Sequence, residues 1–219
     1  MRRMLKPSYG ELPLPYQTYL PKGSANPGTI LVYLHGSGER GVSPEELDEA
    51  WGLPRVLAAG LELPIPVVSP VCPAGDLWRP ELIRMFLEGL RSHPATAQSR
   101  LVLCGYSMGG TGIYAYLSEP RTEAAAGIVV AGRIGIFSPE GLARFPLLAI
   151  YGDSDERFSG SRVPDRLAEI REAGGNVHLK VLPSAGHYIT EEAFASPEFT
   201  AWITAVTDNE GGIDGSDHR

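Results

Sequence analysis

Cysteine is scarce in this chain of 219 residues: only Cys72 and Cys104 occur, flanked by apolar residues and without the close Cys or His partners that a structural zinc site needs. Two buried, reduced thiols are expected. Positive charge is also in short supply, with 19 Lys and Arg against 26 Asp and Glu and a formal net charge of −7. Nucleic-acid binding by phosphate neutralisation has the wrong sign here, and no basic block reverses it. Long hydrophobic runs are missing. Nothing approaches the roughly 18 uncharged residues of a membrane span, and no apolar run follows Arg2, Arg3 and Lys6 as it would in a secretory leader. These features point to a soluble cytoplasmic protein with no membrane or nucleic-acid partner. No internal repeat or linker divides the chain, so residues 1–207 are expected to form one domain. The polar, acidic stretch 208–219 is expected to be a disordered tail.

Short apolar runs rich in β-branched residues lie at Thr29–Leu34, Ile65–Ser69, Leu101–Cys104, Gly127–Val130, Leu147–Tyr151 and Val177–Leu182. Most are continuous rather than alternating, as in parallel strands covered on both faces, so an α/β fold with a mostly parallel sheet flanked by helices is expected. Glu11–Leu20 alternates loosely and contains prolines, which reads as an edge strand. Between the strands, Ser43-Pro44-Glu45-Glu46 forms a capping box that opens a helix toward Trp51, cut short by Gly52 and Pro54. Glu81–Leu90 is expected to bury Leu82, Met85, Phe86 and Leu90, and Val163–Ala173 to end at Gly174-Gly175. Glu191–Val206 reads as a helix packing Phe194, Phe199, Trp202 and Ile203.

Gly105-Tyr106-Ser107-Met108-Gly109 follows one strand pattern and precedes a helical one. A serine on so sharp a turn tolerates only small residues two positions away on either side, and its hydroxyl then projects above the sheet, so Ser107 is the candidate nucleophile. A serine hydroxyl needs a base, and the chain has five histidines. His218 lies in the tail, His93 precedes a proline at a helix end, and His178 sits within a strand. His35 belongs to a glycine-rich loop that it should brace. His187 follows the last strand in the loop Ser184-Ala185-Gly186, where a base can reach the carboxyl ends of the strands. The acid is expected in Gly152-Asp153-Ser154-Asp155. Asp155 has the reach to turn back toward His187, whereas Asp153 suits bracing the turn and Glu156 is a distant third.

The oxyanion formed on attack needs backbone N–H donors. Met108 supplies one candidate and Ser37, in His35-Gly36-Ser37-Gly38, the other. Trp78, Glu39, Arg40, Phe137 and Tyr188 are candidates for the cleft rim. No metal or cofactor is called for by such a constellation.

With these residues the sequence resembles the α/β-hydrolase superfamily, in its small carboxylesterase, dienelactone-hydrolase-like and predicted-peptidase branches. The resemblance runs from about Thr29 to His187. It rests on His35 to Gly41, Trp51-Gly52-Leu53-Pro54, Ser69 to Pro73 with Trp78, the Ser107 turn, Gly152 to Asp155, and Gly186-His187. It implies a single-domain α/β-hydrolase fold, a Ser107–His187–Asp155 triad and an oxyanion hole at Ser37 and Met108. The chain departs from the pattern after Asp155, where Glu156 to Arg162 intervene before Val163-Pro164. Arg133 to Pro146 is too short for a helical lid, so the site should be open and suited to small, short or compact esters. A peptidase using the same triad, and a catalytically silent binding protein on the same scaffold, are the alternative readings. The sequence does not specify the oligomeric state.

Overall fold

The computed structural model describes residues 2–4, 9–21, 28–135, 137–159 and 162–208. Among these residues, eight strands form one sheet in the order β1-β2-β4-β3-β5-β6-β7-β8: β1 Arg2–Met4, β2 Tyr16–Leu20, β3 Thr29–Leu34, β4 Val67–Pro70, β5 Arg100–Tyr106, β6 Ala124–Val130, β7 Leu147–Gly152 and β8 Val177–Leu182. The six from β3 to β8 run parallel, and β2 is antiparallel to both β1 and β4. From β3 the chain moves to one side for β4 and returns to the other side for β5. The resulting crevice lies at the carboxyl ends of β3 and β5, where an open parallel sheet offers its ligand site.

Among the described residues, eight α-helices connect and cover the strands: α1 Leu53–Ala58, α2 Pro80–Ser92, α3 Met108–Leu117, α4 Pro139–Leu142, α5 Glu156–Ser159, α6 Val163–Glu172, α7 Thr190–Phe194 and α8 Pro197–Asp208. Because strand side chains alternate, Ile30, Val32 and Leu34 of β3 pack on one face with Phe86, Ile113, Leu167 and Ile170. Leu31 and Tyr33 pack on the other with Leu53, Leu57, Phe194, Phe199 and Ile203. Helices therefore bury both faces of the inner strands β3 to β7, which is why these read as continuous apolar runs, whereas β8 at the edge leaves His178 and Val181 exposed.

Four expectations are corrected. The segment Glu11–Leu20 forms a strand only from Tyr16, after Pro13 and Pro15, and lies second from the edge because β1 pairs outside it. The capping box at Ser43 is present, but it opens a 3₁₀ helix over Pro44–Asp48, and Gly52–Pro54 starts α1 instead of merely ending what precedes it. Helix α2 buries Ile83, Phe86, Leu87 and Leu90, a clean i, i+3, i+4, i+7 stripe, and leaves Met85 40% exposed. The last helical stretch is two helices, parted where Ser196 Oγ accepts the Phe199 N–H at 3.2 Å and Pro197 begins α8. Helix α6 ends as expected, with the Gly175 N–H on the Ile170 carbonyl and Gly174 at φ 89°. Residues 209–219 of the proposed tail lie outside the described residues, as does His218.

Among the described residues no helix is long and apolar enough to cross a membrane. Cys72 and Cys104 are buried and free.

Candidate active site

Ser107 occupies the single position between β5 and α3, at φ 52° and ψ −109°, a conformation that side-chain-bearing residues rarely adopt. Its neighbours hold it there. The Ser107 N–H bonds the Val130 carbonyl at 2.8 Å, and the Thr111 N–H returns to the Ser107 carbonyl at 3.0 Å. A Cβ on Gly105 would lie 2.5 Å from the Gly109 carbonyl carbon, and one on Gly109 would collide with the Leu34 carbonyl. The two glycines are thus a packing requirement of the turn, as the spacing implied.

His187 and Asp155 reach Ser107 from loops after β8 and β7. Those loops are bonded together: the Asp153 N–H to the Leu182 carbonyl at 3.1 Å and the Ser154 N–H to the Ala185 carbonyl at 3.0 Å, with Gly152 packed against Ala185 too tightly for any side chain. The His187 carbonyl accepts the Ile189 N–H at 3.1 Å and the Tyr106 hydroxyl at 3.2 Å. Burial pushes the Tyr106 phenol well up, so it stays a donor.

Held this way, His187 Nε2 is 2.9 Å from Ser107 Oγ and Nδ1 is 2.7 Å from Asp155 Oδ2. A carboxylate can only accept, which assigns the proton to Nδ1 and leaves Nε2 facing the serine hydroxyl. Asp155, 2% exposed, also accepts the Arg157 N–H at 2.8 Å through Oδ1. Asp153 is exposed and accepts the Ser154 hydroxyl at 2.9 Å.

Ser37 and Met108 share a structural property. Ser37 is the first residue of a 3₁₀ helix over Ser37–Glu39 and Met108 the first of α3, so neither amide has a partner within its own helix, and both residues line the cleft. The loop carrying Ser37 is braced by His35, which is 1% exposed. His35 Nδ1 donates to the Gly36 carbonyl at 2.7 Å, and Nε2 accepts the Cys72 N–H at 2.9 Å. Burial holds this imidazole down at about 4, so it stays neutral near pH 7.

Ser107 opens into a cleft of about 550 Å³. Among the described residues, no group of three or more His, Cys, Asp and Glu side chains is placed to hold a metal ion.

Residues 80–204, more than half of the chain, match the dienelactone hydrolase family. The chain belongs to that family. The span matching the dienelactone hydrolase family includes Ser107, Asp155 and His187 and excludes the Ser37 loop. No curated protein matches the chain. Solved structures share its fold. A thermostable esterase is 21% identical with a TM-score of 0.66 over 87% of this chain, which spans 58% of that esterase. The dienelactone hydrolase from Anabaena variabilis ATCC 29413 is 21% identical with a TM-score of 0.59, covering 92% of each chain. Acyl-protein thioesterase 2 from Zea mays is 21% identical with a TM-score of 0.57, covering 87% of this chain and 97% of that one. Membership of the dienelactone hydrolase family supports ester hydrolysis by this chain.

The rim of this family member differs in part from expectation. Glu39 and Tyr188 line the cleft; Trp78, Arg40 and Phe137 do not. Trp78 is 2% exposed, its indole N–H bonded to the His35 carbonyl at 3.0 Å, so it supports the loop from beneath. The Arg40 guanidinium is turned back onto the Ser37 and Asp76 carbonyls at 3.0 and 3.3 Å. Phe137 packs on the core beneath the Arg166 guanidinium, 5.3 Å from its ring. The cleft instead draws on Trp51, Tyr106, Thr111, Arg133 and Arg157. Trp51 and Arg157 stand within segments singled out from the sequence, beside the Gly52 and Asp155 motifs. No sequence signal marks Arg133, whose N–H is bonded to Thr111 Oγ at 3.0 Å.

Proposed function

We propose that the protein hydrolyses short or compact carboxylic esters through an acyl-enzyme on Ser107. The observation that carries this reading is the unbroken chain from Ser107 Oγ through both nitrogens of His187 to the buried Asp155, set on a strained strand-to-helix turn. In acylation His187 Nε2 takes the hydroxyl proton as Oγ attacks the carbonyl carbon. Asp155 keeps the other nitrogen protonated and steadies the imidazolium. The Ser37 and Met108 N–H groups receive the oxyanion, a contribution of about 10² to 10³ in rate for one such donor. His187 then protonates the departing alcohol and, in the second half-reaction, activates water to release the acid.

The preference for small acyl groups is supported by what stands over the cleft. Among the described residues the β6–β7 connection holds one short helix, α4, four residues long, and two guanidinium side chains, Arg133 and Arg157, line the cleft and disfavour a long alkyl chain. The two free buried thiols suit the reducing cytoplasm as its location.

Hydrolysis of p-nitrophenyl esters from acetate to palmitate, alongside a matched anilide, tests the reading. Decline of kcat/KM beyond butyrate, with the anilide far slower, is expected. A palmitate optimum would overturn the acyl preference, a faster anilide would make the protein a peptidase, and no turnover of any substrate would make it a binding protein.

A further inference from the structure

The large hydrophobic side chains left exposed among the described residues include two aromatic ones, Trp51 at 42% and Tyr188 at 63%. Both line the cleft that contains Ser107, and they face each other with ring centres 5.6 Å apart at 48°. The pair is built rather than incidental. The Arg55 guanidinium lies over the Trp51 indole, 4.9 Å from its centre, and is itself tied to Glu191 at 3.3 Å on α7. The backbone beside Trp51 is fixed because Gly52 packs on the Tyr33 hydroxyl with no room for a side chain. Tyr188 meets His187 edge-on, with centres 5.7 Å apart. A guanidinium stacked on an indole and a ring edge against a ring both hold flat surfaces in place before any ligand arrives.

Their position relative to the reacting atoms identifies the part of the substrate they meet. The carbonyl oxygen of a bound ester turns toward the Ser37 and Met108 amides. The leaving oxygen must lie within reach of His187 Nε2, because that nitrogen supplies its proton as the bond from the acyl carbon breaks and the acyl group stays on Ser107 Oγ. The alcohol portion therefore emerges beside His187, where Tyr188 and then Trp51 follow.

We propose that the cleft selects esters whose alcohol carries an aromatic ring, and that this ring stacks on the Trp51–Tyr188 pair. The inference rests on the esterase reading above and adds the class of leaving group. Acyl-side rings gain nothing from the pair.

Two matched ester pairs test it. Benzyl acetate and cyclohexylmethyl acetate have leaving groups of similar size and acidity and differ in aromaticity. Methyl phenylacetate and methyl cyclohexylacetate place the same difference on the acyl side. In the native protein the aromatic member should lead by about three- to tenfold in kcat/KM in the first pair, chiefly through KM, and by less than twofold in the second. Trp51→Leu and, separately, Tyr188→Ala should bring the first ratio close to one; both side chains are exposed, so neither change removes core packing. A first ratio near one in the native protein, an equal aromatic advantage on the acyl side, or a ratio unmoved by both substitutions would overturn the inference while esterase activity stands. Absence of turnover with all four esters, together with no labelling of Ser107 by a fluorophosphonate, would instead remove the esterase reading.

Discussion

Acid should unfold this protein in part through His35. Its imidazole is 1% exposed and holds two buried backbone groups, the Gly36 carbonyl through Nδ1–H and the Cys72 N–H through Nε2, and the second bond requires a neutral ring. Burial, with the nearby Arg40 adding to it, lowers the folded value to about 4, whereas the unfolded chain titrates near 6.5. Between these values the unfolded state binds a proton that the folded state refuses, so the contribution is intact above pH 6.5 and is lost as pH falls through 4. The linkage amounts to about 2.5 kcal/mol by pH 4.5 and about 3 kcal/mol once both states are protonated. Glu39, 3.8 Å from Nδ1, acts oppositely: burial raises its carboxyl, so its own linkage stabilises the fold as pH drops. A double difference isolates His35. Urea unfolding at pH 7.5 and pH 4.5 should show His35→Gln losing about 2.5 kcal/mol less than the native protein over that interval, since an amide can donate and accept without titrating. In the native protein the His35 ring should remain neutral at pH 5 by NMR. Equal pH dependence in the two proteins, or a ring that titrates near 6.5, would refute the argument.

Two further outcomes follow from the site. Asp155→Asn should lower kcat by about 10⁴, through the wrong tautomer of His187, whereas Asp153→Asn should stay within a few-fold, and the reverse ranking in steady-state assays would move the acid to Asp153. Gly109→Ala forces a methyl into the Leu34 carbonyl between β3 and α3 and should remove about 2 kcal/mol of stability, a fall of roughly 5 °C in Tm by calorimetry; an unchanged Tm would show that the turn has slack.

Much of this was legible in the sequence because some residues admit few environments. The runs at Thr29–Leu34 and Leu147–Tyr151 needed cover on both faces, and Gly105 and Gly109 had a steric meaning once a strand preceded Ser107 and a helix followed. Legibility failed where two readings share one pattern. Apolar residues at 82, 83, 85, 86, 87 and 90 contain overlapping stripes, and only the neighbouring sheet and α3 selected the one through Ile83 and Leu87. Ser196-Pro197-Glu198 repeats the helix-start signal of Ser43-Pro44-Glu45, but an apolar pattern running across it masked the break. The rim was hardest, because lining a cleft depends on where a side chain turns. The Trp78 indole found the His35 carbonyl beneath the loop, whereas Trp51, beside Gly52, was left facing the cleft.

The central claim, that Ser107 is the nucleophile, is tested most directly by intact-mass and peptide mapping after treatment with a fluorophosphonate. One adduct per chain on Ser107, absent in Ser107→Ala and slowed by orders of magnitude in His187→Ala, is the predicted result. An adduct on another residue, or ester turnover that survives Ser107→Ala, would contradict it.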